Sequence, residues 1–221
     1  IPQSREDSDI FNRFYLNGYQ FRQIWDGFVY HLTSRGSRFR DGVGKDSDEW
    51  KYSNSRNMRN FIRKWGTTPM HDSMMKPIVF PKYDIGLVVT NCNVELLRAL
   101  EPWCSHIYGD WVGHNERPSN ATGLGVNKYI IEEQEKTEYD LREKIHTLTL
   151  EPENDVIVRF DGTQITNENI NFISQMPMIL QEHDEVGSFA HDIFQVEIKT
   201  LEHKTNELIK SKPLKSYDFK L

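Results

Sequence analysis

Four groups of residues in the first third of the chain have types and spacing suited to chemistry. Arg5-Glu6-Asp7-Ser8-Asp9 places paired acids at a helix start, where Ser4 and Asp7 have capping-box character. Val29-Tyr30-His31 closes a strand candidate on an imidazole, and residues 34–40 (SRGSRFR) form an Arg/Ser/Gly run without periodicity. Residues 60–66 (NFIRKWG) end an aromatic, basic helix. Moving a sugar from a nucleotide donor makes three demands that such groups can meet. A carboxylate takes the acceptor hydroxyl's proton as an oxocarbenium-like transition state forms. A divalent cation or basic side chains neutralise the leaving diphosphate. A loop closes over the donor and keeps out water that would hydrolyse it.

Each group also has a plainer reading. Glu6 and Asp7 favour a helix terminus wherever they occur in its first turn. His31 equally suits the rim of a core, and Arg35, Arg38 and Arg40 suit either a phosphate clamp or a solvated loop. Trp50 and Trp65 could stack on sugar rings or pack a core.

The elements that must position these residues follow from periodicity. Ile10, Phe11, Phe14 and Tyr15 form an apolar stripe that ends at Asn17-Gly18, and residues 19–31 read as a bent strand. A helix is expected over 48–65, closed by Gly66. Farther on, Ile85-Gly86-Leu87-Val88-Val89 reads as a buried strand, with Asn91 or Asn93 capping a short helix through Leu96, Leu97 and Leu100. Ile107 and Tyr108 suggest a second strand. A helix is expected over 129–148, a strand over 155–160 ending at the Asp161-Gly162 turn, a helix over 167–180 ended or kinked by Pro177, and a strand over 194–198. This alternation predicts an α/β protein.

The 221 residues carry a net charge of −6, split unevenly. Residues 1–76 hold 13 Lys/Arg against 9 Asp/Glu and 13 of the 26 aromatics, whereas residues 77–221 hold 14 against 24. A step in both properties places a boundary near residues 73–82, between a basic, aromatic segment and an acidic one. The modest basic excess points to a small anion rather than to nucleic acid. No apolar run is long enough for a membrane-spanning helix. Two cysteines, Cys92 and Cys104, exclude a disulfide scaffold, and with His106 and His114 they match no ordinary zinc spacing. A reducing, cytoplasmic setting is expected. The start IPQSREDSDI is neither a signal peptide nor an initiator Met, so the chain is expected to be part of something longer.

REDSDIFNRFYLNGYQFRQ resembles the acidic motif of family 2 glycosyltransferases of GT-A fold, in which Glu-Asp opens a helix that carries a further acid and an Arg and runs on to Gly-Tyr. The pattern falls on Glu6, Asp7, Asp9, Arg13, Gly18 and Tyr19. VYHLTSRGSRF is similar to the family's later valine–His strand and its Ser-containing loop, and RNFIRKWG to the helix that closes many such domains. The resemblance covers residues 4–66. It implies Asp7 as catalytic base, Glu6 in acceptor binding with Trp65 beside it, and His31 at the metal or the diphosphate. Arg35, Ser37 and Arg38 would then bind the donor diphosphate, and Mg²⁺ or Mn²⁺ would be the cofactor. The family's nucleotide-binding half, with its Asp-x-Asp motif, would be expected ahead of these residues. Residues 1–76 are therefore expected to be the C-terminal part of a GT-A domain, with the missing N-terminal half of the same polypeptide as a partner. Residues 77–221 are expected to form a small Rossmann-like α/β domain that lacks a Gly-rich phosphate loop. The partners implied are a nucleotide sugar and a hydroxyl acceptor such as a glycan. The alternative is a non-catalytic carbohydrate-binding or assembly module that retains a transferase remnant.

Overall fold

Local signals in the sequence set the ends of most elements. In the computed structural model the residues described are 5–22, 24, 26–27, 47–111, 125–183 and 185–209. Helix α1 (Glu6–Leu16) begins with three acids in its first turn and ends at Asn17, with Gly18 in the left-handed region. Helix α2 (Asp48–Trp65) starts where the Ser47 hydroxyl accepts from the Trp50 N–H, and stops at Gly66, whose φ of 78° lies in the left-handed region that favours glycine. Strand β1 (Ile85–Thr90) leads into helix α3 (Val94–Leu100), capped by Asn93 accepting from the Leu96 N–H at 2.8 Å. The 3-10 turn Glu101–Trp103 and strand β2 (His106–Gly109) follow.

The expected helix over 129–148 is instead three elements: α4 (Val126–Gln134), α5 (Leu141–Lys144) and strand β3 (Ile145–Thr147). Side-chain competition breaks it. Gln134 donates to the Tyr139 carbonyl at 2.8 Å and accepts from the Leu141 N–H at 2.9 Å, while Asp140 caps a new helix through the Arg142 N–H. Strand β4 (Val156–Asp161) precedes helix α6 (Asn171–Glu182), which runs through Pro177. The hairpin β5 (Gly187–His191) and β6 (Phe194–Ile198) completes the sheet. Of the strand expected over 19–31, residues 19–22 are not in a strand and most of the rest lies outside the described residues.

The six strands form one mixed sheet in the order β3-β2-β1-β4-β6-β5, so the α/β expectation is met. β3, β2, β1 and β4 are mutually parallel, and β6 runs antiparallel to β4 and β5. The chain builds outward from β1 through β2 to β3, then returns to the other side of β1 with β4. One face of the sheet carries the core. Leu87, Val89, Ile107, Val158 and Phe194 are closed off there against Leu97, Tyr129, Met176 and Leu180. On the other face, buried Asn154 donates to Asp84 Oδ1 at 2.8 Å and accepts from the Tyr108 hydroxyl at 3.2 Å. Gly86 makes room for it, since a Cβ there would overlap the Asn154 amide. Among the described residues, no helix is long and apolar enough to cross a membrane.

Helix α2 joins this unit through buried charge. The fully enclosed Glu101 carboxylate accepts from Arg63 at 2.6 Å, Lys144 at 2.7 Å, Tyr129 at 3.0 Å and Arg59 at 3.1 Å. Glu133 accepts from Arg59 and Arg63, each at 2.7 Å, and from Lys136 at 3.3 Å. Burial alone would raise the Glu101 pKa, but Lys144 and Arg63 outweigh it and hold the group well below the usual carboxylate range. Glu133 is lowered in the same way by Arg59 and Arg63.

Because the folded-state pKa of Glu101 is depressed, its stabilisation is present above the unfolded value near ~4.3 and is lost as pH falls below it. Glu101→Gln is expected to cost about 3–5 kcal/mol at pH 7, the usual result of stripping a charge from a buried pair. Urea denaturation at pH 7 and at pH 3–5 checks this, and the variant should show a shallower loss of stability on acidification than the parent.

Candidate functional site

The parallel strands β1 and β4 lie side by side, yet the chain leaves them toward opposite edges of the sheet. In open α/β sheets such a switch point, at the carboxyl ends of the strands, is the usual ligand position. Thr90 is in register with Asp161 at this end, and Val89 with Gly109 on the adjoining strand. Three side chains converge there: Asn91 after β1, Asp110 after β2, and Asp161 at the end of β4.

Asn91 turns the chain with a φ of 52°, a left-handed conformation that asparagine tolerates better than most residues. Asp110 fixes that turn by accepting from the Asn91 N–H at 2.6 Å and the Cys92 N–H at 3.0 Å. Asp161 Oδ1 accepts from the Thr163 N–H at 2.9 Å, the Thr163 hydroxyl at 2.8 Å and the Asn91 amide at 3.1 Å. These bonds favour the ionised carboxylate and lower its pKa. The hydrogen bonds of Asp161 all use Oδ1, and Oδ2 carries none among the described residues. Gly162 lets the strand end press against the first turn: a Cβ there would lie 2.7 Å from Leu96 Cδ2 and 2.9 Å from the Asn91 carbonyl oxygen. The result is an anionic rim with a fixed backbone beneath it. Cys92 and Cys104 are both free and buried, and burial pushes each thiol up to about 12, so neither supplies a nucleophile.

The residues singled out in the first third of the chain stand elsewhere. Asp7 is exposed on α1, and no described side chain pairs with it. Glu6 is half-buried, and its Oε2 is enclosed without a hydrogen-bond partner among the described residues. Asp9 is the buried acid of the helix, accepting from Lys64 at 2.6 Å and from the Trp65 indole N–H at 2.9 Å. Trp65 is 1% exposed, and its ring packs near Phe61. His31, Arg35, Ser37 and Arg38 lie outside the described residues.

The last turn of α2 sits where Lys82 donates to the Arg63 carbonyl at 3.1 Å, just before β1 begins. Asp9, Lys64 and Trp65 are therefore grouped at the N-terminal end of the strand, whereas Asn91 and Asp161 stand at its carboxyl end. The six residues of β1 separate these ends by about 17 Å at ~3.3 Å per residue. Asp7 and Asp161 are not brought together.

In the sequence, Asp161-Gly162 reads as a turn and Asn91 as a cap. The available signal is an Asp at the end of a confident strand followed by a glycine, but the bonds that build the site join residues 70 and 19 positions apart along the chain. Among the described residues, no group of three or more His, Cys, Asp or Glu side chains is arranged to hold a metal ion. Comparison with protein-family models, with curated proteins and with solved structures found no match.

Gly162→Ala is expected to force the end of β4 away from the Asn91 turn at a cost of about 1–3 kcal/mol. Chemical denaturation measures the loss, and amide NMR shifts of Asn91 and Thr163 should move while those of α2 stay in place.

Proposed function

We propose that the chain is part of a glycosyltransferase that moves a hexose from a nucleotide diphosphate sugar to a hydroxyl acceptor, with the donor seated at the carboxyl edge of the sheet. The observation that carries this reading is the convergence of Asn91, Asp110 and Asp161 at the switch point between β1 and β4, where mononucleotide-type ligands are held in related architectures. On this reading residues 77–221 form a small Rossmann-like unit that takes the nucleotide sugar. The turn Thr90-Asn91-Cys92-Asn93 contains no glycine, so backbone N–H groups do not cradle the diphosphate as a Gly-rich loop would. Its charge would need an added cation.

The residues present fit Mg²⁺ or Mn²⁺ in one specific sense. Such ions are commonly bound by one or two protein carboxylates, with phosphates of the substrate completing the shell. Asp161 would hold the ion through Oδ2, with the Thr163 hydroxyl beside it. When bound, the ion would offset the negative charge that develops on the departing diphosphate. Asn91 and Asp110 offer amide and carboxylate groups for hydrogen bonds to a nucleoside. Asp7, the general base on this reading, and Glu6, on its acceptor side, stand at the other end of the strands, so transfer requires the helix that carries them to be brought to the donor held at the carboxyl edge. That separation also favours the second reading, a carbohydrate-binding or assembly module without turnover of its own.

Calorimetric titration of the chain with nucleotide sugars and Mn²⁺ is expected to give saturable heat. Asp161→Asn should weaken it about tenfold or more, and Asp7→Asn should leave it unchanged. Heat from free glycans, with none from any nucleotide sugar, would replace the transferase reading with the module.

A further inference from the structure

A groove of about 270 Å³ opens between α2, α3 and α4, away from the carboxyl edge of the sheet. Among the described residues its lining includes Tyr52, Arg56, Arg59, Arg98 and Lys136, with Glu133 as the one carboxylate. Four cations facing one acid is already unbalanced, and Glu133 is shared among Arg59, Arg63 and Lys136. The network behind it sets four cations, Arg59, Arg63, Lys136 and Lys144, against the two carboxylates Glu101 and Glu133, counting the ion pairs among the described residues. Arg56 and Arg98 add to that surplus at the rim. Among the described residues, Arg98 has only the exposed Glu95 as an ionic neighbour, at 3.9 Å.

We propose that this groove binds a compact dianion of the phosphate or sulfate-ester class. Arg59 is held before any ligand arrives: its Nε donates to Glu133, and one of its terminal nitrogens donates to the Tyr129 hydroxyl at 2.6 Å. Its terminal nitrogens also donate to the Arg98 carbonyl and to Glu101, so Arg59 supplies a fixed positive charge, and the planar forks that match a tetrahedral oxyanion are those of Arg56 and Arg98. Tyr52 is half exposed and lies beside Arg56 and Lys136, their charges 6.0 and 5.6 Å from its ring centre. That ring can contact the body of an ester whose charged head meets the arginines. The size of the groove suits one charged group and an attached ring. A nucleic-acid strand would instead meet a chain of net charge −6, with the acidic excess concentrated after residue 76.

Titration of the full chain at low ionic strength with pyrophosphate, inorganic phosphate, a hexose phosphate and a sulfated disaccharide tests the proposal. At least one probe is expected to bind and raise the thermal midpoint, with affinity falling as salt is added. The double variant Arg56→Gln, Arg98→Gln should lose about tenfold or more. Both side chains stand outside the bonds to Glu101 and Glu133, so the fold should persist, as circular dichroism would confirm. Asp161→Asn should leave this binding intact, which separates the groove from the carboxyl edge. Tighter binding of the ester than of inorganic phosphate, reversed by Tyr52→Ala, would identify an esterified ligand, and equal binding a free anion. No binding by any probe, undiminished binding by the double variant, or loss in Asp161→Asn alone would each overturn the proposal.

Discussion

A single carboxylate, Glu101, determines how the rest of the molecule fits together. It lies at the turn between α3 and β2, wholly enclosed, with Arg63 and Arg59 from α2, Lys144 from α5 and Tyr129 from α4 all bonded to it. A charge in that position without partners would be too costly for the fold to tolerate. The constraint therefore runs outward: α2, α4 and α5 take the positions that let their cations and hydroxyl reach one point. The apolar sheet face supplies most of the driving force for burial, while the carboxylate selects which helices cover its flank.

This division explains what can be read along the chain. Helix α2 is legible because its helical run and Gly66 are contiguous, and β1 and β4 because branched apolar residues cluster. The cap at Asn93 is legible for the same reason. The break after Gln134 is not, since it depends on one amide side chain bonding both to Tyr139 and to Leu141 in place of the helix ladder. Strand β5 is hidden too. Gly187, Ser188 and Ala190 carry little strand signal, and the segment extends because β6 offers it a ladder of partners.

The candidate site shows the same limit. Asp161 is visible in the sequence only as the end of a strand, and Asn91 only as one of two capping choices. What joins them is the parallel register of β1 and β4 together with the missing Cβ of Gly162, and neither is local in sequence. The acids that stand out at the start of the chain divide by helix face. Asp9 turns inward to Lys64 and Trp65, whereas Asp7, two residues earlier, turns out to solvent. Alternating roles within one acidic run follow from the helical period and not from composition.

The sharing of two acids among cations from several helices also bears on where this polypeptide can be cut. Composition places a seam near residue 77, but α2, on the basic side of it, supplies two of the counter-ions that the acidic side cannot do without. A fragment beginning at the seam would carry Glu101 and Glu133 with only lysines and a phenol to offset them. Compositional seams and mechanical units are separate properties here, and the helix before the seam is a working part of the sheet unit beyond it.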